Sequence, residues 1–251
     1  MKQKDFSLKG KTALVTGAAR RLGRAICIAL AKKGVNILVH YNESETEANI
    51  LKDEIRALGV NVWTIKADLE SRDQCDDLIS RCLQIAGDIH ILINNASIFP
   101  SDRLLEFSIE DLLKNLQINA VAPFILSRKF VKTGSTGRII NLLDSRITGY
   151  DRDHAAYDLS KKLLLEMTKM LALELAPDIT VNAVAPGLVL PPEGTDMSYV
   201  EERAKMIPLE QHGCEKDVSD AVLFLLQSSF TTGQVLFVDG GRHLKGTSFT
   251  K

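Results

Sequence analysis

Thr12-Ala13-Leu14-Val15-Thr16-Gly17-Ala18-Ala19-Arg20-Arg21-Leu22-Gly23 is the stretch on which the fold turns. Its first four residues lack polar alternation and read as a strand buried on both faces. Gly17 and Gly23 then bracket a turn into a helix predicted from about Leu22 to Lys33. Glycine lets the backbone bend sharply and approach a ligand closely. A helix N-terminus at that point offers unpaired N–H groups and a positive dipole end to a pyrophosphate. A glycine turn alone says little, but between a buried strand and a helix it reads as a dinucleotide-phosphate loop. The middle glycine of the usual spacing is Arg21, whose side chain must point away from the phosphate contact.

Outward from this loop the same alternation continues. Further strands are expected at Val35 to His40, Val60 to Lys66, Ile89 to Ile93, Arg138 to Leu143, Ile179 to Val184 and Gln234 to Val238. Helices are expected at Glu45 to Leu58, Ser71 to Ala86, Ser108 to Val131, His154 to Leu175, Tyr199 to Met206 and Val218 to Leu226. Strands buried on both faces that alternate with helices imply right-handed βαβ units. The expected fold is α/β, a Rossmann-type, doubly wound, seven-stranded parallel sheet with helices on both faces. No solenoid repeat, low-complexity tract or linker interrupts residues 1–251, so one domain is expected. Leu190 to Met197 is the least regular part. It follows a strand's C-terminal end, where ligands bind in such sheets, and is either a mobile lid or an ordinary surface loop.

Bulk properties exclude several classes. Of 251 residues, 45% are hydrophobic, enough for a full core, and the net charge is −1 with no basic block. Neither nucleic acid nor an anionic membrane is therefore an expected partner. No apolar run is long enough to span a bilayer. Met1 to Phe6 lacks the apolar centre of a signal peptide. Cys27, Cys75, Cys82 and Cys214 form no Cys-x-x-Cys pair, which fits reduced thiols in a cytoplasmic protein. His40, His90, His154, His212 and His243 have no metal-ligand spacing, so no metal is expected.

The second strand ends in His40-Tyr41-Asn42-Glu43-Ser44. An enzyme that uses NADH usually places an acidic residue there for the ribose hydroxyls. None stands at His40, Tyr41 or Asn42, and Arg20 and Arg21 lie nearby, so NADPH is favoured over NADH. Glu43 either repels a 2′-phosphate or caps the following helix. Asp68-Leu69 follows the third strand, where the carboxylate either accepts a bond from an adenine amino group or caps a helix. Tyr157 and Lys161, at i and i+4, share a helix face. An ammonium beside a phenol favours the phenolate, which makes a proton donor or acceptor usable near neutral pH. The lysine can also hold the nicotinamide ribose.

Asn94-Asn95-Ala96-Ser97, Asn119, Pro186-Gly187 and Val238-Asp239-Gly240-Gly241 add to these motifs. Over essentially its whole length the chain resembles a short-chain dehydrogenase/reductase. The resemblance implies cofactor contacts at Gly17, Arg20, Arg21, Leu22, Gly23, His40, Tyr41, Asn42, Asp68 and Leu69. It implies more at Asn95, Ala96, Ser97, Tyr157, Lys161, Pro186, Gly187 and Leu188. It also implies that Asn119 helps hold a water in a proton relay, and that the protein is a homotetramer.

Within that superfamily the chain is similar to pteridine reductases and bacterial dihydromonapterin reductases. Arg20-Arg21-Leu22, His40-Tyr41, Ser97 followed by Ile98-Phe99, and Asp144 carry the likeness. Glu43 departs from it, because pteridine reductases often have a basic residue there. The resemblance implies that Phe99 stacks on a flat pterin ring and that Ser97 hydrogen-bonds pterin or cofactor. Asp144, thirteen residues before Tyr157, takes the place of a catalytic serine. A serine hydroxyl can stabilise the negative oxygen of a carbonyl reduction, whereas an ionised carboxylate repels it. Reduction of C=N instead needs a proton at nitrogen, which a carboxylic acid of raised pKa, relayed with Tyr157, can supply. Ser145 is displaced by one residue and on a strand faces the other way.

The leading expectation is an NADPH-dependent reductase of a pterin such as a dihydropterin or dihydrofolate. Its catalytic residues would be Asp144, Tyr157, Lys161 and Asn119, and Ser97, Phe99, Asp144 and Tyr157 would bind substrate. One alternative is a carbonyl reductase or alcohol dehydrogenase, including one for 3-oxoacyl thioesters. Another is an NADPH-binding regulatory protein without turnover.

Overall fold

Apolar runs with no exposed face become the sheet. The computed structural model describes residues 6–132, 136–192 and 194–245. Its strands are β1 (Thr12–Val15), β2 (Asn36–Tyr41), β3 (Val62–Lys66), β4 (Ile91–Asn94), β5 (Gly137–Leu142), β6 (Ile179–Pro186) and β7 (Val235–Val238). They form one seven-stranded sheet in the order β3-β2-β1-β4-β5-β6-β7, parallel at every pairing. The helices are α1 (Arg21–Lys32), α2 (Glu45–Arg56), α3 (Arg72–Ala86), α4 (Ile109–Leu116), α5 (Ala122–Val131), α6 (Ala155–Leu175), α7 (Ser198–Ala204) and α8 (Glu215–Gln227).

Successive strand residues serve opposite cores. Val15, Val39 and Ile93 pack with Leu30 of α1, Leu51 of α2 and Val222 of α8. Leu14, Leu38 and Leu92 pack with Leu78 of α3, Phe130 of α5 and Leu171 of α6. The direction of strand order reverses at β1, which pairs with both β2 and β4. Beyond the C-terminal ends of those strands such a sheet opens a crevice.

Boundaries shift slightly from the sequence expectation. β3 starts at Val62, and β6 continues to Pro186. α8 begins at Glu215, upstream of Val218, because the Asp217 carboxylate accepts the Cys214 N–H at 2.8 Å. The larger difference lies in the helix expected over Ser108 to Val131. Ser108 and Asp111 form the capping box that starts it, but Gln117–Val121 is a π-turn that splits it into α4 and α5. Asn119 sits in that turn. Among the described residues no helix is long and apolar enough to cross a membrane. The cysteines are free thiols. Met1 to Asp5, and Glu193 within the Leu190–Met197 segment, lie outside the described residues.

Candidate active site

A cleft of about 690 Å3 runs over the C-terminal ends of the strands, from the Gly17–Gly23 turn to Arg146, Tyr199 and Arg242. Every candidate site residue named from sequence lines it except Asn119 and Lys161, which stand behind its wall.

At the phosphate end the backbone is held by neutral side chains. Gly17 has φ +59°, and a Cβ there would lie 2.9 Å from the Ala96 Cα. A Cβ on Gly23 would lie 2.3 Å from the Gly17 carbonyl oxygen, so both positions require glycine. Thr16 Oγ1 accepts the N–H groups of Asn95 and Ala96, each at 3.0 Å. Asn95 Nδ2 donates to the carbonyls of Thr16 and Gly17 at 2.9 and 3.0 Å. His40 Nδ1 accepts the Gly17 N–H at 3.1 Å, and Nε2 lies 3.1 Å from the Ala67 carbonyl. That pattern makes Nε2 the protonated nitrogen. Burial pulls the His40 pKa down to about 4, against the opposing pull of the Ala67 bond.

His40 and Asn95 both line the cleft, yet these side-chain bonds run to backbone. Both His40 nitrogens and Asn95 Nδ2 are taken up in this way, because the backbone turn needs internal partners. The fit to a dinucleotide phosphate comes from elsewhere. α1 has no acidic residue in its first turn and no side-chain cap, which leaves its leading N–H groups to a ligand. Arg21 takes φ +53°, a backbone region that glycine favours. Its guanidinium points away from the turn and donates to the Pro191 carbonyl at 2.6 Å. Ser44, not Glu43, is the N-cap residue of α2. Ser71 caps α3, while Asp68 Oδ1 accepts the Glu70 N–H at 2.9 Å in a tight turn.

At the other end the groups are ionic. β5 ends at Leu142, and Asp144 caps a short 3-10 turn, Ser145–Thr148. Its Oδ1 accepts the Arg146 N–H at 2.8 Å, and its Oδ2 accepts the Tyr157 hydroxyl at 3.1 Å. Tyr157 is buried, and burial with the Asp144 charge pushes its phenol well above the usual value. Lys161 Nζ donates to the Leu142 carbonyl at 2.8 Å and lies 5.6 Å from the Tyr157 ring centroid. Burial lowers its pKa to about 8. Lys161 was expected to favour the phenolate, and here its Nζ bonds to a carbonyl rather than to the Tyr157 hydroxyl. The ammonium turns to a carbonyl, and the carboxylate holds the hydroxyl, so the phenol is neutral and can donate a proton.

The Asp144 carboxylate accepts from three donors, the Arg146 N–H, Arg146 Nη1 and the Tyr157 hydroxyl. Ser145 is buried with no partner for its hydroxyl, so it is Asp144 that meets Tyr157. The Asn119 amide is fully engaged. Its Oδ1 accepts the Ser97 hydroxyl at 3.1 Å and the Ile98 N–H at 2.9 Å, and its Nδ2 donates to the Ile98 carbonyl and Ser160 Oγ. With the amide so engaged, any part of Asn119 in holding a water falls to its backbone. Phe99 is not a bare platform either. The His154 ring stacks on it at 3.9 Å, and the Tyr157 ring meets it edge-on at 4.6 Å.

A family model described as enoyl-(acyl carrier protein) reductase matches residues 17–243. The chain belongs to the short-chain dehydrogenase/reductase family. With that membership it is a nicotinamide-dependent oxidoreductase. It is 34% identical to a 3-oxoacyl-[acyl-carrier-protein] reductase of Synechocystis sp., over 94% of this chain and 98% of that protein. It is equally identical to a short-chain type dehydrogenase/reductase of Picea abies, over 94% and 93%. Among solved structures, FolM alternative dihydrofolate reductase 1 from Brucella canis complexed with NADP superposes with a TM-score of 0.91 at 30% identity. That match covers 97% of this chain and 99% of that one.

Several residues of this short-chain dehydrogenase/reductase site escaped the sequence reading. Arg146 lies 3.2 Å from Asp144 and 2.9 Å from Asp151, and His154 lies 3.2 Å from Asp151. Tyr199 and Arg242 close the same end. A signal existed. Asp144, Arg146, Asp151, Arg152, Asp153 and His154 crowd between one strand and the next helix, at the sheet end where ligands bind.

Proposed function

We propose that this enzyme uses NADPH to reduce a C=N bond of a pterin-type heterocycle, such as a dihydropterin or dihydrofolate. One observation carries the proposal: a carboxylate, Asp144, shares a hydrogen bond of 3.1 Å with the Tyr157 hydroxyl. An anion there disfavours the developing oxyanion of a carbonyl and accepts the amino or ring N–H donors of a pterin. Similarity to a dihydrofolate reductase solved with NADP supports both substrate class and cofactor.

Bound NADPH supplies the hydride. The N-terminus of α1 and Arg20 hold the phosphates, and the absence of an acid at His40, Tyr41 and Asn42 leaves room for the 2′-phosphate. Asp144 orients the heterocycle by accepting its N–H groups. The Tyr157 phenol donates a proton to the ring nitrogen. The Lys161 ammonium, buried 5.6 Å from the Tyr157 ring centroid, offsets the phenolate charge that remains. Asn119 anchors the Ser97–Ile98 turn at the wall of the cleft. This assigns the Asp144/Tyr157 pair a relay in which the tyrosine, not the carboxyl group, gives up the proton.

A second reading is a 3-oxoacyl thioester reductase, favoured by the names of the curated relatives. Assays of NADPH oxidation with dihydrobiopterin, dihydromonapterin, dihydrofolate and an acetoacetyl thioester separate the two. Turnover of a dihydropterin that is lost in Asp144→Ala supports the pterin reading. Turnover of the thioester alone, retained or raised in Asp144→Ser, overturns it. Binding without turnover on the whole panel leaves a regulatory protein.

We further propose that the chain works as one cytoplasmic domain in a homotetramer. Exposed Leu159, Leu163, Met170 and Leu173 on α6, with Ile109 and Leu113 on α4, supply apolar faces for neighbours. Size-exclusion chromatography with light scattering tests this, and a monomer alone overturns it.

A further inference from the structure

Behind Asp144 stands a tier of charge whose parts come from the 3-10 turn and the loop that leads to α6. The Arg146 guanidinium presents one edge to each of two carboxylates. Its Nη1 lies 3.2 Å from Asp144 Oδ2, and its Nε lies 2.9 Å from Asp151 Oδ2. Asp151 is fixed in turn. Its Oδ1 accepts the Asp153 N–H at 3.0 Å, and its Oδ2 takes His154 Nδ1 at 3.2 Å. These side chains are mostly buried, none more than 19% exposed.

The same group also holds Phe99. The His154 ring lies flat on it, 3.9 Å between centroids at 13°, and the Arg146 guanidinium carbon stands 4.8 Å from its centroid. Phe99 and Asp144 come from different ends of the chain's middle third, yet one guanidinium touches both.

We propose that Arg146, anchored by Asp151, is the positioning residue that sets substrate selectivity. It fixes the Asp144 carboxylate and the Phe99 ring in one mutual geometry, which admits flat heterocycles carrying N–H donors beside the reducible bond. The proposal rests on the role given to Asp144 above. A planar fork is required, because the two carboxylates are met by different nitrogens of one rigid group, and a lysine offers a single point of charge. Without the cation, two buried carboxylates are left facing a common space, and Asp144 turns away to find other donors.

The test uses Arg146→Lys, Arg146→Gln, Asp151→Asn, Asp144→Ala and the double variant Asp144→Ala/Arg146→Gln. Steady-state kinetics are measured with dihydrobiopterin and with acetoacetyl-CoA, and NADPH affinity by fluorescence titration reports on fold and cofactor site. Arg146→Gln is expected to lower kcat/KM for dihydrobiopterin about 100-fold, chiefly through KM, and Arg146→Lys is expected not to rescue it. Asp151→Asn, which leaves Asp144 untouched, is expected to lose about tenfold in the same direction. NADPH affinity stays within about threefold in all of them, since the phosphate end is built from other groups. In the Asp144→Ala background Arg146→Gln is expected to add little, because the mutual geometry it sets is already lost with the carboxylate.

Wild-type kcat/KM in Arg146→Lys, or losses that multiply in the double variant, overturns the inference while the pterin reading stands. Failure of the wild type to turn over dihydrobiopterin overturns the pterin reading itself and takes the selectivity claim with it. The two failures are therefore distinguishable.

Discussion

The two ends of the cleft are built by opposite means. At the phosphate end, Thr16, His40 and Asn95 are neutral and bond to backbone, so apart from Arg20 the ligand meets a shaped main chain. At the chemical end, Asp144, Arg146, Asp151 and Lys161 are ionic, and the ligand meets side chains. A main-chain site is damaged through stability, because its side chains act on the fold first. A side-chain site is damaged through rate and selectivity, because its charges act on the reacting groups.

The sharpest way to break this contrast is Tyr157→Phe. Removing the proton donor is expected to lower kcat about 100- to 10,000-fold while NADPH affinity holds within a few-fold. A collapse of NADPH affinity, read by fluorescence titration, would show that the ends are not separable. His40→Ala attacks the other end. It orphans the Gly17 N–H and the Ala67 carbonyl, with an expected loss of about 2–4 kcal/mol in urea unfolding. NADPH affinity should weaken with it, while the preference between dihydropterin and thioester stays put.

Acidification sharpens the same point. His40 titrates at about 4 in the folded protein, against 6.5 for the unperturbed side chain. Between those values the unfolded chain binds a proton that the folded one refuses, so stability is full above pH 6.5 and falls as pH drops toward 4. The loss from this group is at most on the order of 3 kcal/mol. Chemical denaturation across that range should show the slope in the wild type and a flatter one in His40→Asn. The smallest effect expected is from Arg21→Gly. Relief of the positive φ is worth about 1 kcal/mol, partly offset by the lost Pro191 contact. Stability should move by less than that, while limited proteolysis near Pro191 and Pro192 speeds up.

Much of this was legible in the chain. Strands such as Ile37-Leu38-Val39 announce themselves because both faces are buried and no polar residue interrupts them. The Gly17–Gly23 turn and the Tyr157/Lys161 pair are local, and local patterns survive in sequence. Pairwise chemistry across distance does not. His40 looked like a cofactor contact because it ends the correct strand, but only the fold shows that Gly17 and Ala67 take both of its nitrogens. Lys161 looked like a partner of the phenol because helix spacing puts it there. Its choice of the Leu142 carbonyl depends on where β5 stops. Arg146 lies in a stretch with no periodicity, and its partners meet it only through the loop's path.

The π-turn at Gln117–Val121 has a consequence for the history and engineering of this helix. Such a turn contains one residue more than an α-helical turn in the same rise, so it behaves as a stored insertion. Deleting a single residue there would restore a regular helix and keep both flanking segments. What would change is the turn itself, and Asn119 within it holds both Ser160 and the Ser97–Ile98 turn. The extra residue is therefore slack taken up within one turn, and the wall of the cleft hangs from that slack.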